Sequence, residues 1–346
     1  MPCVTQAQIH FSFSILLEAL KFFLSKIWGN CKTEGEKEGT PRLISIIGSG
    51  RVGSTLAMIL VQRNIDEHVH LVDIIPGLPE GEALDLSHMA AELGIDVQIT
   101  GSNDYASLKG SNIVVITAGL ARKPGMTRMD LLTKNAGIIK SVSGEVAKYA
   151  PNCVLVMVTN PLDAMTYVAL KTTGFPKARV FGMGGMLDLS RFTQLLSEAL
   201  HVSRQSIDAL VIGEHGESMT PLPSFTSVKG IPLRTFLSEQ QIDDAIDKTR
   251  KVAAEVIAKK GATFYAPANG IARMVEAVQY DKKALLPVSA YLEGEFGLSG
   301  LCIGVPTIIG AGGVEKVIEI PLAGKEKESF DKGAATLKEA IASIPN

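Results

Sequence analysis

The chain has 346 residues, which at roughly 100–200 residues per domain suggests two domains. Its 46% hydrophobic and 20% charged residues are those of an ordinary globular protein and exclude a disordered chain. A formal net charge of −2 gives no general attraction to nucleic acid or to an anionic membrane, so any positive charge that binds an anion must be local.

Residues 10–28, HFSFSILLEALKFFLSKIW, are strongly apolar, but Glu18 and Lys21 interrupt the run. Ser14, Glu18, Lys21 and Ser25 recur at helical spacing and form a narrow polar stripe on an amphipathic helix. Stable membrane insertion is not expected. No basic residue precedes the apolar part and no small-residue cleavage site follows it, so a secretory signal is not expected either. Arginine is absent from residues 1–40, which argues against a mitochondrial transit sequence. NCKTEGEKEGT then reads as a polar linker. Residues 1–40 are thus either a membrane-surface anchor or oligomer contact, or else a dispensable extension or one created by a misplaced start codon. The second reading is preferred because no targeting pattern is complete, and a cytoplasmic location follows from the missing signals.

Residues 42–47, RLISII, predict a short buried strand, and STLAMILVQR predicts a helix. Between them stands Gly48-Ser49-Gly50-Arg51-Val52-Gly53, a GxGxxG turn. In such a turn the first glycine permits the bend, the second lets backbone approach a pyrophosphate, and the third lets helix and sheet pack closely. The helix N-terminus offers free N–H groups and a positive dipole end to phosphate. A second strand, HVHLVDI, brings Asp73 to its end, 25 positions after Gly48. A carboxylate there can accept hydrogen bonds from both ribose hydroxyls and would repel a 2′-phosphate, so NAD is expected over NADP.

VQIT, NIVVITAG and CVLVMVTN are further β-branched runs, separated by helical stretches such as residues 130–149. That alternation predicts an α/β protein with a Rossmann-type doubly wound parallel sheet. Ligands of such sheets lie at the carboxyl ends of the strands, where TAG (117–119) and VTN (158–160) fall. Asn160 either reaches into that crevice or merely forms a turn with Pro161.

After TAG, residues 120–130 carry Arg122, Lys123 and Arg128. Pro124-Gly125 keeps the loop from being helical. It is either a lid over an anionic substrate or a solvated basic turn. In GGMLDLSRF, Asp188 and Arg191 stand at i, i+3 near a helix start, on one face. Gly213-Glu214-His215-Gly216-Glu217 follows the strand-like IDALVI, and its flanking glycines leave His215 open to ligands unless it is an ordinary loop histidine. Residues 244–260 and 268–279 read as helices. The C-terminal stretch is an amphipathic helix with Leu337, Ile341 and Ile344 on its apolar side. The four cysteines, Cys3, Cys31, Cys153 and Cys302, form no CxxC pair; neither a disulfide framework nor a metal site is expected.

The loop ARKPGMTRMDLL, the turn VTNPLD, the segment LDLSRF and the box GEHGESM stand in the order found in the lactate/malate dehydrogenase family, which residues 42–346 resemble. The RKPGMTR loop is similar to that of the malate-specific branch nearest the lactate enzymes. Glu217 stands where the family usually has Asp, and Thr220 where Val is common. The resemblance implies a Rossmann-type NAD domain over 41–185 and an α+β substrate domain over 186–346, behind the extension 1–40. It implies a small dicarboxylate substrate, a place in the tricarboxylic acid cycle, and a homo-oligomer, dimer or tetramer.

The same resemblance assigns roles. His215 would exchange a proton with the substrate C2 oxygen, and Asp188 would hold its ring. Arg191 would bind the C1 carboxylate, Arg128 would polarise the C2 carbonyl and Arg122 would pair with the second carboxylate. Asn160 would contact the substrate hydroxyl. Gly48, Ser49, Gly50, Arg51, Val52, Gly53, Asp73, Asn135, Val158, Thr159 and Asn160 would line the cofactor cleft.

Rival readings are a lactate dehydrogenase, a metal-dependent NAD-using glycosidase and a non-catalytic NAD-binding protein. Arg122 argues against the first. The lack of a histidine motif matching Cys153 argues against the second. The full set of acid/base and arginine positions argues against the third. Deleting residues 1–38 is expected to leave keto-acid turnover intact; a folded but inactive product would show that the extension has a catalytic role.

Overall fold

The computed structural model describes residues 42–121, 125–216 and 218–344. The amphipathic stretch 10–28, the linker, Arg122, Lys123 and Glu217 lie outside the described residues.

The chain from Arg42 onward begins with β1 (Leu43–Ile47), wholly buried, followed by α1 (Arg51–Gln62). Then come β2 (His68–Val72), α2 (Leu78–Leu93), β3 (Gln98–Ser102), β4 (Ile113–Ile116), α3 (Arg128–Tyr149), β5 (Val154–Met157), α4 (Leu162–Thr173) and β6 (Val180–Gly182). These six strands are mutually parallel in the order β3-β2-β1-β4-β5-β6. The near-continuous apolar runs of β1, β4 and β5 are what a strand covered by helices on both faces requires. The order reverses between β1 and β4, and the crevice at the carboxyl ends of these strands is where such a sheet takes its ligand.

The remainder contains α5 (Met186–Leu200), β7 (Ile207–Asp208), β8 (Val211–Ile212), β9 (Thr220–Pro221), β10 (Ser227–Val228), β11 (Ile231–Pro232), α6 (Glu239–Lys260) and α7 (Tyr265–Gln279). It ends with β12 (Ala284–Glu293), β13 (Ser299–Gly310), β14 (Gly313–Val317) and α8 (Gly324–Ala342). The last three strands are antiparallel and extend the main sheet beyond β6, giving nine strands in one sheet.

One apolar layer packs α3, α4 and α8 on one face through residues such as Ile139, Met165 and Phe330. A second packs α1, α2 and α7 on the other through Leu56, Ala83 and Met274. A third joins Phe192 and Leu196 of α5 to Ile242 and Ala245 of α6. Cys153 and Cys302 are buried free thiols, and burial pushes the Cys153 thiol up to about 12, so both are chemically quiet.

The expected helices at 130–149, 244–260 and 268–279 each begin a few residues earlier than read. For α6 the reason is a capping box in which Ser238 and Gln241 satisfy each other's backbone N–H. β12–β14 were not read from the sequence. Pro287 and Pro306 stand opposite each other at the centre of β12 and β13, where each removes a donor and argues against a strand.

Gly53 packs so closely that a Cβ would meet the carbonyl oxygen of Gly48 at 1.8 Å, whereas nothing lies within 4 Å of a Cβ at Gly50. Gly53→Ala is therefore expected to cost about 1–3 kcal/mol in unfolding free energy. Gly50→Ala should leave stability unchanged and weaken dinucleotide binding, as measured by denaturant titration and NADH fluorescence.

Candidate active site

The glycine turn delivers the first half of the site. Gly48 adopts φ +106°, and the N-terminus of α1 begins at Gly50 without a side-chain cap. Its first N–H groups are thus available to an anion. Asp73 Oδ2 accepts the backbone N–H of Ser49 at 2.7 Å, and Oδ1 accepts that of Ile75 at 3.0 Å. The carboxylate is fixed beside the turn and keeps lone pairs for further donors. An open face at Gly50, uncapped helix N–H groups and a held carboxylate are the donor and acceptor set that a dinucleotide diphosphate and ribose need. The residues present fit NAD.

Asn135 has a different task from the cofactor contact expected for it. It is fully buried; its Oδ1 accepts the Leu120 N–H at 2.8 Å, and its Nδ2 donates to Leu120 O at 3.1 Å and to Asn160 O at 2.6 Å. With its amide engaged on backbone, it ties the ends of β4 and β5 together and acts on the cleft through them. Thr159 likewise donates to Ala118 O at 2.7 Å, while Val158 is half-buried and Asn160 is exposed at the strand end. The Asn160–Pro161 peptide is cis.

Arg128 is the first residue of α3 rather than part of an open loop. Thr127 and Asp130 form a capping box, each side chain bonded to the other's backbone N–H at 3.0 Å. A cation at a helix N-terminus opposes the dipole, and Asp130, in the same first turn, compensates.

His215 lies in the connection between β8 and β9, and three other elements place it. Gly213 exchanges two backbone hydrogen bonds with Gly304 of β13, at 2.8 and 3.1 Å. A Cβ at Gly304 would meet Gly213 O at 2.6 Å, so glycine is required for that approach. The His215 N–H donates to Asp163 Oδ2 of α4 at 2.7 Å. Its Nδ1 lies 2.8 Å from Asp188 Oδ2 of α5. Among the described residues Nε2 has no hydrogen-bond partner, so it is the nitrogen left for a ligand.

Asp188 is 1% exposed, and its other oxygen accepts from Arg191 at 3.0 Å. The predicted i, i+3 pair thus exists and shares one carboxylate with the histidine. Burial alone would lower the pKa of His215, but the adjoining Asp188 carboxylate, its hydrogen bond and the charge of Asp163 outweigh burial and raise it. Arg191 acts in the opposite direction. The arrangement is a histidine of raised pKa with one free nitrogen, coupled through a buried carboxylate to an arginine.

Arg51 sits over the Phe264 ring at 5.8 Å, which brings the 261–264 turn beside the glycine loop. Thr263 Oγ1 in that turn is buried without a partner. Sequence reasoning did not find Asp163 or Gly304; only the fold brings them to His215. Among the described residues no group of three or more His, Cys, Asp or Glu is arranged to hold a metal, and no helix is long and apolar enough to cross a membrane.

Fold and site together define a nicotinamide-dinucleotide-binding protein of the doubly wound class that carries a histidine held by a buried carboxylate. Residues 43–182 match the NAD binding domain of lactate/malate dehydrogenase, and residues 185–346 match its alpha/beta C-terminal domain. The chain belongs to the lactate/malate dehydrogenase family. It is 47% identical over 303 residues to a malate dehydrogenase of Methanosarcina mazei, covering 87% of this chain and 98% of the relative. The crystal structure of Cryptosporidium parvum malate dehydrogenase superimposes with a TM-score of 0.85 at 41% identity, covering 88% of this chain and 99% of that one. A lactate dehydrogenase from the same organism, solved with lactic acid and NAD, gives 0.84 at 37% identity, covering 88% and 98%.

Because the folded-state pKa of His215 is raised, the pair's contribution to stability is full below the usual 6.5 and is lost as pH rises through the higher value. Asp188→Asn leaves burial dominant and should move the His215 titration below 6.5, measured by NMR of labelled histidine. An unshifted titration would contradict the electrostatic account.

Proposed function

We propose that the chain catalyses the reversible NAD-dependent oxidation of (S)-malate to oxaloacetate. The observation that carries this reading is the Asp188 carboxylate shared between His215 and Arg191. It links a proton-transfer group to a group suited to a substrate carboxylate. The relatives named above as malate dehydrogenases support the choice of substrate. When bound, NAD supplies the acceptor for the hydride that leaves C2.

In the oxidation direction His215 takes the hydroxyl proton on Nε2, while Asp188 keeps Nδ1–H in place and stabilises the imidazolium. Arg191 holds the C1 carboxylate; with five N–H donors, one bond to Asp188 leaves a fork for the substrate. Occupying Arg191 with an anion cancels the charge that lowers the His215 pKa, so substrate binding itself favours the protonated imidazole needed for the reverse reaction. Arg128 polarises the C2 oxygen as negative charge develops there. Asn160 contacts the same oxygen. Arg122 meets the second carboxylate, and a substrate lacking that group leaves a closed-in cation unpaired.

Residues 41–185 serve the dinucleotide and 186–346 the substrate. Residues 1–40 are dispensable. The protein works in the cytoplasm as a homo-oligomer.

Breaking a buried ion pair costs roughly 3–5 kcal/mol, or about two to four powers of ten in kcat/KM. NADH oxidation with oxaloacetate should exceed that with pyruvate by that order, and Arg122→Gln should collapse the difference. Equal rates on both keto acids in the unaltered protein would refute the dicarboxylate reading; preference for pyruvate would make the chain a lactate enzyme.

A further inference from the structure

The VTNPLD turn ends in a carboxylate to which the preceding reading gives no task. Asp163, the second residue of α4, is 2% exposed and lies directly under the His215 connection. One oxygen takes the His215 backbone N–H. The other oxygen and the nearby Ser289 hydroxyl of β12 are both buried and lack a well-formed hydrogen bond in this conformation. A neutral asparagine could accept the same N–H through its carbonyl oxygen. Burying a carboxylate there costs free energy that an amide would avoid, so the charge itself calls for a reason.

The groups facing His215 supply one. Asp188 and Arg191 face it from α5, Asp163 from α4, and Glu214 precedes it on its own loop. Cys302 of β13 lies next to Asp163 and stays a neutral thiol. Among these, Asp163 is a second negative charge favouring the protonated ring.

We propose that Asp163 is a positioning residue for the acid/base histidine: its bond to the His215 backbone fixes the loop, and its charge stabilises the imidazolium beyond what Asp188 supplies. This rests on the reading of His215 as the proton-transfer group. Burial raises the pKa of Asp163 to about 6, against the opposing effects of Ser289 and the His215 N–H. The two sites are therefore coupled: as pH falls through that range Asp163 takes up a proton and its support for the imidazolium disappears.

The test compares Asp163→Asn and Asp163→Ala in the full chain, following the pH profile of kcat/KM for NADH-dependent oxaloacetate reduction. Thermal melts and NADH fluorescence establish that each variant is folded and binds cofactor. Asparagine keeps an acceptor for the N–H and loses only the charge. It should shift the histidine limb down by about one unit with the KM for oxaloacetate retained. Alanine also loses the anchor and should lower kcat at least tenfold at every pH, with asparagine rescuing most of that loss on the acid side. A profile of Asp163→Asn that superimposes on the unaltered protein overturns the role of the charge. Equal loss in both variants without a shift overturns the proposal as a whole.

A readout on the unaltered protein needs no variant. The NMR titration of labelled His215 should show a second inflection near pH 6 from Asp163, and a single-proton curve overturns the coupling. His215→Gln separates the two levels. If it keeps activity, the reading of His215 fails; if it abolishes activity while Asp163→Asn shifts nothing, only this inference fails.

Discussion

A carboxylate with almost no access to water, held between an imidazole and a guanidinium, is the interaction on which the rest of the site depends. Removing either partner from Asp188 would leave a buried charge uncompensated, which is far more costly than never having buried it. The start of α5 is thereby obliged to stay where both cations can reach the carboxylate. Two further constraints on the histidine, from β13 and α4, make sense as the scaffolding of that arrangement. The His215 pKa is set by burial in opposition to two anions, with a cation tuning the balance.

The dinucleotide half is organised by the same logic at lower charge. Asp73 and Asn135 are both engaged with backbone before any ligand arrives. The first holds the glycine turn, and the second joins the ends of two parallel strands across the crevice. Preformed geometry of this kind reduces what must be ordered on binding. The Thr127–Asp130 box does the same for the start of α3, where Arg128 would otherwise be poorly placed against the helix dipole.

Much of this was legible in the chain because it is local. A glycine turn between a β-branched run and a helix, an aspartate at the next strand end and an i, i+3 Asp–Arg pair are patterns of short range. What was not legible is long range or locally contradictory. Asp163 and His215 are 52 positions apart and meet through a backbone N–H, which no side-chain pattern announces. Asn135 gave no sign that its amide would be consumed by two strand ends. The three antiparallel strands were hidden by opposed prolines, each of which lacks the backbone N–H that a ladder uses and so argues against a strand. The basic loop remained ambiguous, since its composition suits a solvated turn as well as a lid.

The way Gly213 and Gly304 hold the histidine has an evolutionary side. The address of the ring is written in main-chain groups, which every residue type carries alike. Neighbouring side chains can drift without relocating the imidazole, as Thr220 illustrates: its hydroxyl turns to Ser329 at 3.0 Å and makes no bond to the ring. The narrow backbone crossing is intolerant, as are the two carboxylates that hold the histidine: any Cβ at Gly304 would push the crossing open. A site built this way can explore new substrate-facing residues while the chemistry stays put, so altered substrate choice need not put proton transfer at risk.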